Sequence, residues 1–169
     1  RPRYSPAAAD VYKSKGQLER ARSDHPGELR PVLAAFVEPA LAMAQDRQSG
    51  GAFVRVIARA YAEKNDNLRR FLSDHYGHVL RDFGRAIAGC VPGLSKEELY
   101  WRLDFLAGSL TYAMADFGLI KRPAGVTEEA HRAQAAQELI HFAEAGFRAA
   151  ARSEGSPTPS TPAPSLSTQ

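Results

Sequence analysis

One cysteine, Cys90, and two methionines are all the sulfur that this 169-residue chain carries. A single thiol closes no internal disulfide, which excludes a disulfide-stapled secreted scaffold and fits a reducing, cytoplasmic setting. On an otherwise apolar helical stripe Cys90 reads as core filler rather than a nucleophile. Long uncharged apolar runs are also missing: the most apolar stretch, residues 97–118, contains Arg102, Asp104 and Asp116, each expensive in lipid, so no membrane span is expected. Neither a signal peptide nor a transit segment is visible. Runs of β-branched residues alternating with period two are absent, which argues against a sheet, and no fixed-period repeat suggests a solenoid. There is no Gly-rich phosphate loop, no G-x-S-x-G, no metal-protease signature and no paired His and Cys within one segment. The expectation is a non-enzyme without cofactor or metal.

Charge is scarce where it would matter for nucleic acid. The net charge is +3, and its location is more informative than its size. Residues 1–30 hold seven Lys or Arg against four Asp or Glu, while residues 31–169 hold fifteen of each. A neutral body lacks the electrostatic footprint that grips a phosphate backbone. The sequence starts at Arg1 and its first methionine is Met43, so it reads as a fragment or a processed chain whose junction is the basic leader, residues 1–27, which has room for one further helix. At the other end "SEGSPTPSTPAPSLSTQ" is nearly devoid of apolar residues, and residues 153–169 read as a disordered tail.

Between them, residues 28–152 show apolar positions at helical spacing throughout, which makes the chain all-α. The pattern predicts a helix from about Glu28 to Arg47, with Pro31 harmless in its first turn and Pro39 a predicted kink. A second, over residues 52–63, carries Phe53, Val56, Ile57, Ala60 and Tyr61 on one stripe. A third runs from about Asp66 to Gly89. "VPGLS" ends it, and Ser95 with Glu98 forms a capping box for a fourth helix over "EELYWRLDFLAGSLTYAMADFG". Thr127 caps a fifth, to about Ala151, with Glu128 and Glu129 in the first turn where the helix dipole favours them.

The fourth helix has two apolar faces. At 100° per residue, Leu99, Leu103, Leu106, Leu110, Met114 and Phe117 line up as a leucine seam, and Trp101, Phe105, Gly108 and Tyr112 as a bulky aromatic stripe. Arg102, Ser109 and Asp116 divide the two on one side; Tyr100, Asp104 and Thr111 divide them on the other. Such a helix is buried on both faces, either at the centre of a thick bundle or between its own core and a second copy of the chain. The last helix favours the second copy. Its Ala135, Ala136, Leu139, Ala143, Gly146, Phe147 and Ala150 are mostly small and allow close approach, so two helices from each protomer would form a four-helix interface. The expected homodimer seam is Leu99, Leu103, Leu106, Leu110 and Met114 with Leu139, Ala143 and Phe147, although the two stripes of the fourth helix could exchange roles.

"LRPVLAAFVEPAL" followed by "GAFVRVIARAYAEKNDNLRRFLSDHYGHVLRDFGRAIAGCVPGLSKEELYWRLDFLAGSLTYAMAD" resembles the C-terminal regulatory domain of TetR-type transcriptional repressors over roughly residues 28–151, with "EELYWRLDFLAGSL" its most specific piece. The resemblance implies a helical bundle whose last two helices dimerise and whose preceding helices enclose a pocket. It also implies operator binding through an N-terminal helix-turn-helix domain, which this chain lacks; "YKSKGQL" is only faintly similar to the segment that ends such a domain. The implied function is sensing of a small apolar or amphipathic effector that shifts a conformational equilibrium, with the Pro39 kink as a flexible point. A structural dimerisation module without a ligand is the alternative.

Candidate pocket residues are Phe53, Tyr61, Tyr76, Phe83, Trp101, Phe105 and Tyr112, since aromatic walls with few polar groups suit small ligands. His75, His78 and Asp82 share a helical face at spacing compatible with a divalent metal, but one segment supplies an incomplete set. They read instead as a hydrogen-bonded patch in which a buried Asp82 would call for a partner such as Arg102.

Overall fold

A computed structural model describes residues 6–43, 66–115 and 121–151, with backbone alone for helical residues 6–13, 68–69, 71–72 and 75–76. Among the described residues all regular structure is α-helical: α1 (Pro6–Asp24), α2 (Leu29–Met43), α3 (Asp66–Cys90), α4 (Lys96–Met114) and α5 (Glu128–Arg148). The helix expected over residues 52–63, with Phe53 and Tyr61, lies outside the described residues.

The bundle is built around α2, which touches each of the other four helices. Its sequence explains the central position. Leu29, Val32, Leu33, Ala35, Val37 and Leu41 are buried, and they occupy more of the circumference than a one-sided stripe, the pattern of a helix surrounded by protein. Pro31 falls among the first turns, where N–H groups have no helical acceptor. Pro39 sits inside the helix and deprives the Ala35 carbonyl of its usual donor.

The helix for which the sequence left room in the leader is α1, and its C-terminal half buries Leu18 and Ala21 in the common core. Among its described side chains these two, three apart, mark the inward face of a polar helix. The chain then reverses at Gly27, whose φ of 79° is a left-handed conformation that glycine adopts without a Cβ penalty. A second positive φ, 82° at Gly125, forms the third position of a turn closed by Val126 N–H donating to Pro123 O at 3.2 Å, and this turn delivers the chain to α5.

Helix starts follow the sequence signals. The Ser95 hydroxyl accepts from Glu98 N at 3.2 Å, and Ser95 N donates back to Glu98 Oε2 at 3.4 Å, the reciprocal bonds of a capping box. Thr127 Oγ1 accepts from Ala130 N at 3.1 Å.

The core joins Phe83 and Ile87 of α3, Leu106 and Leu110 of α4, and Ala136, Ile140, Ala143 and Phe147 of α5 to α2. Phe83 is 1% exposed and meets Phe36 with ring centroids 4.9 Å apart. Gly84 lies where α3 and α4 meet: a Cβ there would lie 3.2 Å from Leu103 Cδ1, so the leucine would have to give by a few tenths of an ångström. Phe83→Ala should therefore cost about 3–5 kcal/mol, against about 1 kcal/mol for Ser95→Ala at the cap; urea denaturation followed by far-ultraviolet circular dichroism measures both.

Candidate functional site: an exposed aromatic face on the last two helices

The leucine seam of α4 turns inward. Leu106 and Leu110 are 3% and 5% exposed, and Leu99, Leu103 and Met114 pack partly buried against the same core. On α5, Ala143 and Phe147 are buried and Leu139 is half-buried against the core. This corrects the expected dimer seam at Leu106, Leu110, Ala143 and Phe147, which their own protomer already encloses, whereas Leu99, Leu103, Met114 and Leu139 keep part of their surface; the exchanged roles of the two α4 stripes, left open by the sequence, put the aromatic stripe outside.

The aromatic stripe is what remains outside. Trp101 is 55% exposed, Phe105 63% and Tyr112 49%, with the Trp101 and Phe105 rings tilted against each other at a centroid distance of 5.9 Å. The helix over residues 52–63 that was expected to close a pocket over these three side chains lies outside the described residues. Phe83, a fourth expected lining residue, is locked in the core. Tyr76 lies on α3 with its side chain outside the described residues, as do Phe53 and Tyr61. The residue that sequence reasoning missed is Phe142 of α5, 65% exposed. Its signal was present: it lies on the helix face opposite Ile140, where a soluble helix normally carries polar residues.

Arg102 joins the two helices. Its Nη1 donates to the carbonyls of Gly146 at 2.8 Å, Phe147 at 3.0 Å and Ala149 at 2.9 Å, and its Nη2 donates to Ala150 O at 3.3 Å. These carbonyls lie at and beyond the last turn of α5, where no helical donor remains and the dipole attracts a cation. Glu98, the capping-box residue, lies 3.7 Å from Arg102 Nη2 and holds the guanidinium from behind. The expected partnership of Arg102 with Asp82 is replaced. Asp82 is half-buried and pairs with Arg85 at 3.2 Å, because four carbonyls in one place outbid a single carboxylate that water already solvates. His78 is exposed and the His75 side chain lies outside the described residues; among the described residues no group of three His, Cys, Asp or Glu gathers to hold a metal.

Trp101, Phe105 and Tyr112 on α4 and Phe142 on α5 are thus the exposed aromatic set of the two helices that Arg102 joins. At about 150–250 Å² per aromatic side chain, half or more exposed, it leaves on the order of 500 Å² of aromatic surface in water, near the upper limit for a monomeric protein. Two glycines, Gly108 and Gly146, lie on it, both exposed. A Cβ at either would meet nothing within 4 Å, so the protomer has no steric need for glycine there, and each weakens its helix by roughly 1 kcal/mol relative to alanine. Exposed Asp104 and Glu138 border the face and provide a polar rim. Tyr100 sits on the far shoulder of α4 beneath Lys96, 6.0 Å from Nζ to ring centroid.

A separate open cleft of about 330 Å³ lies at the end of the bundle, between Val91, Gly93 and Leu94 and the segment Phe147–Ala151. None of the aromatic residues expected to line a pocket borders it. Cys90, nearby, donates from Sγ to Ala86 O at 3.3 Å; burial pushes its thiol up, with Arg148 and Arg22 opposing, consistent with a packing role.

Residues 34–146 match the family model described as "Tetracyclin repressor-like, C-terminal domain". No curated protein and no solved structure matches the chain. The match spans α2 to α5 and contains both Arg102 and the whole aromatic face.

Replacing Arg102 with methionine keeps the aliphatic stem but leaves the α5 carbonyls without their cation. The expected cost is about 1.5–3 kcal/mol, the range for hydrogen bonds to a charged group, with α5 amides near residue 147 losing hydrogen-exchange protection first.

Proposed function

Because the chain belongs to the family of tetracycline-repressor-like C-terminal domains, we propose that it is the ligand-sensing and dimerisation domain of a cytoplasmic transcriptional repressor. It pairs with a second copy through the α4–α5 face and passes the binding of a small apolar or amphipathic effector to a DNA-binding domain outside this chain. The observation that carries the dimer is the exposed row of Trp101, Phe105, Tyr112 and Phe142. The exposed aromatic surface, on the order of 500 Å², is a large part of the about 800 Å² per partner of a standard protein interface. A two-fold axis makes such a surface self-complementary without a second protein.

Family membership supports effector sensing, and the packed centre at Phe36 and Phe83 favours the competing reading of a dimerisation module with no ligand. Under the sensing reading an effector acts only through its differential affinity for two arrangements of the bundle. The charge-balanced body of residues 31–169 supports leaving operator recognition to a domain outside this chain. No described helix is long and apolar enough to cross a membrane.

Light scattering after size exclusion at micromolar concentration should give twice the chain mass. Phe105→Glu and Phe142→Glu should each yield a folded monomer, whereas Leu106→Glu, directed at the core, should fail to fold; a wild-type monomer rules out the dimer. A thermal-shift screen of fatty acids, acyl thioesters and aromatic compounds separates the two readings. A true effector at a hundredfold excess over its Kd adds about 2.7 kcal/mol of stability, and a screen with no stabilising compound favours the ligand-free module.

A further inference from the structure

We draw no further inference here: the strongest candidate, the open cleft of about 330 Å³ at the end of the bundle between Val91, Gly93 and Leu94 and the segment Phe147–Ala151, carries nothing, because its charged lining residue, Arg148, already pairs with Glu144 at 3.2 Å and nothing in the structure shows what covers it.

Discussion

The guanidinium of Arg102 is the contact on which the arrangement of the last two helices depends. It joins an α4 side chain to the carbonyls of Gly146, Phe147, Ala149 and Ala150, which would otherwise end α5 without donors. Apolar packing between helices tolerates sliding, because one leucine substitutes for the next along a groove. A planar donor aimed at a helix terminus does not tolerate it. Arg102 therefore fixes the height of α4 against α5, and Glu98 links that choice to the start of α4 by serving both the Ser95 cap and the arginine. That height decides which residues of α4 and α5 stand beside one another.

A second constraint is the division of α4. Its leucines and its aromatics are both apolar, and the core takes the leucines. At Gly84 the missing side chain lets Leu103 of that stripe pack close to the α3 backbone. The bulk of the aromatics, excluded from the core, becomes the exposed surface of a domain in a family of transcriptional regulators.

The sequence made the helices legible wherever local chemistry sets a boundary. Ser95 and Glu98, Thr127, and the glycines at 27 and 125 mark starts and turns through bonds that span three or four residues, so a linear reading reaches them. The buried faces of α2 and α5 were legible from period and residue size. The direction in which α4 presents its two stripes was not, because hydrophobicity assigns both to an interior and only three-dimensional fit separates them. Arg102 was misassigned for a related reason. A carboxylate is visible as a partner in the sequence, whereas the orphan carbonyls at a helix end are carried by every residue type and announce nothing. Phe142 was passed over because the small residues around it drew the reading towards close packing.

Trp101 is the only tryptophan in the chain, and it stands on the aromatic face, not in the core. Intrinsic fluorescence is therefore a reporter of that surface. Its emission colour follows what covers α4 and α5, and its response to denaturant registers the uncovering of the face, while the melting of α2 and the Phe36–Phe83 pair is optically silent at tryptophan wavelengths. An unfolding curve taken by fluorescence and one taken by circular dichroism consequently weigh different parts of this molecule. Coincident midpoints report that the aromatic surface and the core unfold as one unit.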